Sequence, residues 1–390
     1  MGSRKAEAPK KDILIVDDTP DNLHVLSQML SQQGYKVRPV TNGARALTAA
    51  QTLPPDLILL DIRMPDMDGY EVCERLKADA QTHDIPIIFI SALSEIRDKV
   101  KAFAIGGVDY VTKPFQLEEV LARVETHLTL RDLQKQLQEA NQRFERELML
   151  AGQIQASFLS NALPDVPGWQ VSVTLKPARE TSGDFYDVSL LPNGHLSILV
   201  ADVVDKGAGA ALYMALCCTL IRTYAAEYLS EPEHVLSATN RRILTDTDAG
   251  QFVTAFYGIL DPLTGTLTFC NAGHNPPFVV GAQHGDEVQR LVRTGMPLGI
   301  FEHETWERGV VQLAPGAVLV MYTDGITDAQ NAQAVFFDEA RLLESVKHNL
   351  GRSAQDIRDA LMMRIHDFMG NAPQLDDIAL VVVAREPAVG

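Results

Sequence analysis

The sequence predicts three pieces: an α/β doubly wound domain on a five-stranded parallel sheet, a long helical linker, and an α+β domain of stacked antiparallel sheets flanked by helices. Three observations predict this. The chain has 390 residues, more than one core supports at roughly 100 to 200 residues per domain. Between 11 and 128, short β-branched runs alternate five times with amphipathic segments, the pattern of a parallel sheet covered on both faces. Beyond 161, many short apolar runs are bounded by turn signals such as Pro192-Asn193-Gly194 and Pro262-Leu263-Thr264-Gly265, the pattern of antiparallel strands. The expected divisions are 1–10 as a disordered tail, 11–128, a coiled-coil-like linker over 129–160, and 161–388.

In chain order, the strands of the first domain are expected at 13–16, 37–40, 57–60, 87–90 and 109–111, with helices at 20–33, 43–52, 69–79, 94–105 and 116–128. Leu121, Val124, Leu128, Leu133, Leu137, Ala140, Phe144, Leu148 and Ala151 are spaced by threes and fours with two irregular steps, which predicts one long helix over 117–158 with a seam for self-pairing. Pro164 and Pro167-Gly168 end it. Strands are then expected at 170–175, 196–201, 253–260, 266–270, 277–280, 308–313, 317–322 and 378–384, with helices at 208–229, 232–246, 338–349 and 353–369.

Composition excludes several classes. Thirty-four Lys plus Arg against 51 Asp plus Glu give a net charge of −17, which phosphate backbones and acidic lipids repel, so no nucleic acid and no membrane is expected as partner. No uninterrupted uncharged apolar run reaches the ~18 residues of a membrane span. The start lacks the apolar stretch of a secretory signal and fails the myristoylation pattern at Ala6. Four cysteines, two of them adjacent in an apolar stretch, show no metal-ligand spacing and fit a reducing, cytoplasmic setting.

Chemistry concentrates in two sets of aspartates. Asp17 and Asp18 end the first expected strand, Asp61 the third, Ser91 follows the fourth, and Lys113 follows the fifth, so all project from one sheet edge, where such sheets bind ligands. Three converging carboxylates suit a hard cation such as Mg²⁺. Asp61 is then placed to accept a phosphoryl group, with Lys113 offsetting charge and Ser91 bonding the product. The motifs DILIVDD, LILLDIRMPDMDGYEV, IIFISA and DYVTKPF resemble the receiver domain of bacterial response regulators. The resemblance implies phosphorylation of Asp61 by a sensor histidine kinase and an inward turn of Tyr110 toward Ser91.

The second set lies in GDFYD, after SILVA, after VLVMYT and before IALVVV: Asp184, Asp187, Asp202, Asp324, Asp376 and Asp377. Carboxylates from four separated segments suit a pair of Mg²⁺ or Mn²⁺ ions, which activate water for attack on a phosphate monoester without an enzyme nucleophile. TSGDFYD, LVADVVDKGAGAAL, FVTAFYGILD, NAGHNPP, TGMPLGI, MYTDGITDA and QLDDIALVVV resemble the bacterial stress-response and sporulation branch of the metal-dependent (type-2C-like) serine/threonine phosphatases. The resemblance begins near Glu147 with the helix ELMLAGQIQASFL. It implies Asp184, Asp202, Asp324 and Asp376 as metal ligands, the Val203 carbonyl as a further one, and Asp187 and Asp377 as less certain members. Two positions depart from the pattern: Asp205 stands where the family has Gly, and Thr181-Ser182 replaces Val-Gly.

Two functions follow from these readings. One is an enzyme whose receiver, phosphorylated at Asp61, controls dephosphorylation of phosphoserine or phosphothreonine on a partner, an anti-sigma-factor antagonist by resemblance, with a homodimer formed through the linker. The other is a phosphorylation-controlled adaptor on an inactive phosphatase fold. Four retained aspartates favour the enzyme, because an adaptor has no physical need of a self-repelling cluster. A transcription factor would need a basic helix-turn-helix, which the C-terminal half lacks.

Overall fold

A computed structural model describes residues 10–91, 96–159, 163–247, 250–281 and 288–387. The expected tail lies outside the described residues apart from Lys10. Contacts divide the chain between Gln142 and Arg143 into two compact units.

The first unit carries β1 (Asp12–Val16), α1 (Pro20–Gln32), β2 (Lys36–Val40), α2 (Gly43–Thr52), β3 (Leu57–Asp61), α3 (Gly69–Ala78), β4 (Ile87–Ser91), α4 (Ile96–Ala104), β5 (Asp109–Thr112) and the start of α5 (Leu117–Phe158). Its strands are all parallel in the order β2-β1-β3-β4-β5. Strands β3 and β4 are buried along their whole length, as strands covered by helices on both faces must be. One face packs Leu14, Ile58, Leu60 and Phe89 beneath α2 and α3. The other packs Ile13, Leu57, Leu59 and Ile88 against Leu26, Val120, Val124 and Leu128.

Helix α5 is continuous over 42 residues. Its first turns belong to the first core, and Arg131 donates to the Pro55 carbonyl at 2.7 Å. From Leu133 to Glu147 every residue is exposed. Leu133, Leu137 and Phe144 are 57%, 62% and 61% exposed, an apolar seam facing solvent.

The second unit holds β6 (Trp169–Lys176), β7 (Asp184–Leu190), β8 (Leu196–Val203), α6 (Ala208–Glu227), α7 (Pro232–Asp246), β9 (Val253–Asp261), β10 (Thr266–Ala272), β11 (Phe278–Val280), β12 (Gln289–Arg290), β13 (Gly309–Gln312), β14 (Val318–Tyr322), α8 (Asp324–Thr327), α9 (Asp338–His348), α10 (Ala354–Met369) and β15 (Ile378–Arg385). Two antiparallel five-stranded sheets, β13-β10-β9-β8-β7 and β12-β11-β14-β15-β6, enclose Tyr186, Val200, Phe256, Leu319 and Val381 between them. Helices α6 and α7 cover the first sheet through Met214, Cys217 and Leu236. Helices α9 and α10 cover the second through Leu342, Val346 and Leu361.

Strands β7 and β12 and the short α8 were not expected. The aspartates at both 184 and 187 break the alternation by which a strand is read, although five of the seven β7 residues are buried. Helix α6 is, by length and composition alone, apolar enough to cross a membrane. Its Ala210, Met214, Cys217, Cys218 and Ile221 are buried in the unit's own core, and Arg222 ion-pairs with Asp187.

Candidate functional site

In the first unit the sheet brings the predicted residues to one edge. Asp17 is fully buried, Asp61 is 4% exposed and Asp18 is exposed, and one ligand oxygen from each lies within 4.8 Å of the others. Lys113 Nζ donates to Asp17 Oδ2 at 2.8 Å and to Asp61 Oδ2 at 2.7 Å. Burial, with a smaller contribution from Asp17, raises the Asp61 pKa despite Lys113. Burial alone would lower the Lys113 pKa, but its bonds to Asp17 and Asp61 outweigh that and raise it. Ser91 is 5% exposed at the end of β4. Tyr110, in register with Phe89 on the neighbouring strand, is half-buried, with the Phe103 ring edge-on at 6.2 Å and the Arg123 guanidinium over its face. The donor set is oxygen-only and suits a hard cation.

In the second unit, β7 and β8 pair so that Asp184 faces Asp202 in register. Both share the strand parity of Val188 and Val200, which point between the sheets. Asp324 opens α8 after β14, and Asp376 precedes β15. The carboxylates perturb one another: burial first and the Asp202 charge second push the Asp184 pKa well up. Burial, Asp324 and Asp376 push Asp202 up to about 7, and burial followed by Asp376 raises Asp324. This cluster is looser than the first, since among the described residues only Asp17, Asp18 and Asp61 converge within 4.8 Å.

The Val203 carbonyl oxygen and Asp202 Oδ1 lie 3.0 and 3.7 Å from the point where a Cβ on Gly183 would sit. Glycine at 183 therefore leaves open the space those two oxygens face. Gly325 is equally constrained, because a Cβ there would meet the Asp377 carbonyl oxygen at 1.8 Å.

Asp187 and Asp377 are engaged by other partners. Asp187 has the opposite strand parity to Asp184, is 3% exposed, and accepts from Arg222 Nε at 2.9 Å on the face covered by α6. The strand pleat turns it away from the cluster. Asp377 accepts from the Ala178 amide at 2.7 Å with one oxygen and from the Gly183 amide at 2.8 Å with the other. Both oxygens clamp the loop leading into Asp184, and the Asp377 charge adds to the rise of the Asp184 and Asp202 pKa values.

Three supporting residues were not singled out from the sequence. Thr323 donates its hydroxyl to Asp184 Oδ2 at 2.5 Å and accepts from the Ala379 amide. Lys206 Nζ pairs with Asp376 Oδ1 at 2.8 Å. Gln155, 5% exposed on α5, bonds both the amide and the carbonyl of Ser182, two residues before Asp184. A signal for Gln155 existed: it shares a helix face with Leu148, Gly152 and Leu159, which are partly buried, and a lone amide in such a stripe needs a partner. Asp205 adopts φ +98°, in line with the glycine that the family resemblance implies there, and accepts from the Lys206 amide at 2.8 Å.

A five-stranded parallel sheet with an acidic edge, followed by two stacked antiparallel sheets with a second acidic cluster, defines a receiver domain joined to a PP2C-like phosphatase domain. The response regulator receiver model matches residues 13–125. The chain belongs to the Stage II sporulation protein E (SpoIIE) family, whose model matches residues 192–386, half of the chain. Among curated relatives, Protein IcfG of Synechocystis is 34% identical over 268 residues, covering 61% of this chain and 41% of that protein. Phosphoserine phosphatase RsbU of Bacillus subtilis is 28% identical, covering 67% of this chain and 74% of that one. The chain thus spans less than half of IcfG. The solved SiaA PP2C domain of Pseudomonas aeruginosa superimposes with a TM-score of 0.56 at 22% identity, covering 63% of this chain and 98% of that domain, a likeness of fold.

Proposed function

We propose that this chain is a cytoplasmic two-component response regulator that accepts phosphate at Asp61 from a sensor histidine kinase and thereby controls dephosphorylation of phosphoserine or phosphothreonine on a partner protein, an anti-sigma-factor antagonist. The observation that carries the reading is the mutual electrostatic perturbation of Asp184, Asp202, Asp324 and Asp376, with the Asp202 pKa pushed to about 7. A cluster that so disfavours its own ionisation is costly unless cations neutralise it. Similarity to a phosphoserine phosphatase, RsbU, supports the same substrate class.

Mg²⁺ fits the oxygen donors of the receiver edge, and two Mn²⁺ or Mg²⁺ fit those of the phosphatase cluster. Bound there, such cations would polarise a phosphoryl group and lower the pKa of water. The chain's own contribution is positional. Thr323 fixes the Asp184 carboxylate by hydrogen bonding, Asp377 and Gln155 hold the 178–183 loop, and Lys206 adds positive charge beside Asp376. At the receiver edge Asp61 is the phosphoacceptor, Lys113 offsets its charge, and Ser91 and Tyr110 form the switch pair.

The exposed seam at Leu133, Leu137 and Phe144 supports a homodimer through the linker, because apolar residues repeating by threes and fours on an exposed helix gain most from a second helix. Asp205, held at a positive φ beside the cluster, favours a weakened enzyme acting partly as an adaptor as the second reading. Hydrolysis of a phosphoserine peptide in Mn²⁺ tests the proposal. Turnover is expected in the wild type and expected to vanish in Asp324→Asn; equal rates in the two would place the site elsewhere.

A further inference from the structure

Beside the carboxylate cluster lies a cavity of about 230 Å³ of mixed lining, with Lys206, Asp328 and Asp376 among its polar residues and Phe336, Met369 and Leu375 among its apolar ones. It shares Asp376 and Lys206 with the cluster, so it adjoins the place where a phosphoryl group would be processed. Two of its walls are unusual. Phe336 is 51% exposed and Leu375 is 54% exposed, although neither belongs to a loosely held segment.

The Phe336 wall is a built hairpin. The Gln330 and Phe336 strands bridge in antiparallel fashion, the Phe337 amide donates to the Ala329 carbonyl at 2.8 Å, and the Asn331 amide donates to the Val335 carbonyl at 3.1 Å. Ala334 turns the hairpin at φ +57°, a conformation that costs a residue with a side chain. The result places Phe337 in the core, fully buried, and its neighbour Phe336 outside. The Leu375 wall is held from both sides: Lys206 Nζ donates to the Leu375 carbonyl at 3.1 Å, and Gln374 Nε2 donates to the Lys176 and Asp376 carbonyls, each at 2.8 Å. Hydrogen-bonded backbone thus fixes both apolar side chains at the surface of the cavity.

We propose that this cavity is a subsite for one apolar side chain flanking the phosphoserine of the partner protein. The inference rests on the phosphatase reading above and deepens it. Consecutive residues of an extended peptide are about 3.3 to 3.6 Å apart, so a cavity sharing Asp376 with the cluster lies within one or two residues of the phosphorylated one. The volume equals the share of about eight waters at roughly 30 Å³ each, room for a single Leu, Met or Phe side chain. Phe336, Leu375, Met369 and Ala329 offer it apolar contact. An acidic flanking residue is disfavoured, because Asp328 and Asp376 both line the cavity and the one lining cation, Lys206, is already paired with Asp376. Selectivity thus comes both from contact with the right side chain and from repulsion of the wrong one.

The test uses the full chain in Mn²⁺ with three substrates: para-nitrophenyl phosphate, which has no flanking residue, and two phosphoserine peptides that differ only in carrying Leu or Asp beside the phosphoserine. The wild type is expected to prefer the Leu peptide about 10-fold or more in kcat/KM, the range one well-filled apolar pocket supplies. Phe336→Ala and Leu375→Ala are each expected to remove most of that preference by raising KM for the Leu peptide, with kcat/KM for para-nitrophenyl phosphate unchanged within twofold; Phe336→Leu should retain it. Because both side chains are half exposed, folding should survive, and an unchanged urea midpoint verifies this. Equal rates on the two peptides in the wild type, or equal losses on all three substrates in the variants, would overturn the subsite. Absence of hydrolysis of para-nitrophenyl phosphate by the wild type would instead overturn the phosphatase reading beneath it.

Discussion

Replacing Asp202 by Asn should make the phosphatase unit more stable at alkaline pH in chelator, while removing its response to divalent cations. Asp202 has a folded pKa of about 7 against an ordinary value of 3.8, because it is buried and faces Asp324 and Asp376. Its folded pKa is raised, so the folded state binds the proton more tightly than the unfolded state does. The stability this contributes is fully present below about pH 4 and is lost as the pH climbs through about 7. A shift of about three units at 1.36 kcal/mol each sets an upper figure of about 4 kcal/mol, which residual solvent access reduces to about 2 kcal/mol. Asn keeps the shape without the charge. Urea unfolding followed by tryptophan fluorescence reads this unit alone, since Trp169 and Trp306, the two tryptophans of the chain, are both buried within it. In chelator the variant is expected to match the wild type near pH 4 and to exceed it by about 2 kcal/mol at pH 8. Saturating Mn²⁺ should stabilise the wild type, by about 2.7 kcal/mol at 100 times Kd, and the variant much less. A wild-type stability that does not fall between pH 4 and 8, or an Asp202→Asn variant weaker than wild type at pH 8, would refute the reasoning.

Labelling of the chain by a small phosphoryl donor in Mg²⁺ is expected to disappear in Asp61→Asn and to persist in Asp324→Asn, as read by intact mass under mild conditions. Asp205→Gly relieves a positive φ whose cost is on the order of 1 to 3 kcal/mol but adds glycine's entropy of about 0.5 to 1 kcal/mol and loses the bond from the Lys206 amide. A net gain of about 0 to 1 kcal/mol in urea unfolding, with activity equal or higher, is therefore expected. A large loss of activity would make Asp205 a ligand. Leu137→Glu with Phe144→Glu, placed where α5 is exposed all round, should convert a dimer to a monomer by light scattering without altering the thermal stability of either unit.

Much of this architecture was readable from pattern. The parallel sheet was legible because each of its strands is short, apolar and followed by a helix of clear periodicity. Its acidic edge was legible because strand ends in such a sheet point one way. The antiparallel unit was read less completely. Strand β7 carries Asp184 on one face and Asp187 on the other, so motif spacing placed both near metal while the pleat separates them. Asp377 looked equivalent to its neighbour Asp376, and only the tertiary approach of the 178–183 loop distinguishes them, giving one a backbone clamp and the other a lysine. Thr323 acts through a hydrogen bond to a segment 139 residues away, a distance at which local pattern carries no information, whereas the stripe around Gln155 signals only that its amide needs a partner, not that the partner is Ser182, 27 residues on. The positive φ of Asp205, by contrast, was foreseeable only from the family resemblance, because the glycine that it implies there reports a backbone requirement that the aspartate does not.

Control of phosphoserine hydrolysis by Asp61 is the centre of this account. Its most direct measurement is the initial rate of phosphate release from a phosphoserine protein substrate in Mn²⁺ and Mg²⁺, by the wild type and by Asp61→Asn, each with and without a small phosphoryl donor. The donor is expected to change the wild-type rate several-fold and to leave the Asp61→Asn rate unaltered. The same change in both proteins, or no change in the wild type despite stoichiometric labelling of Asp61, would contradict it.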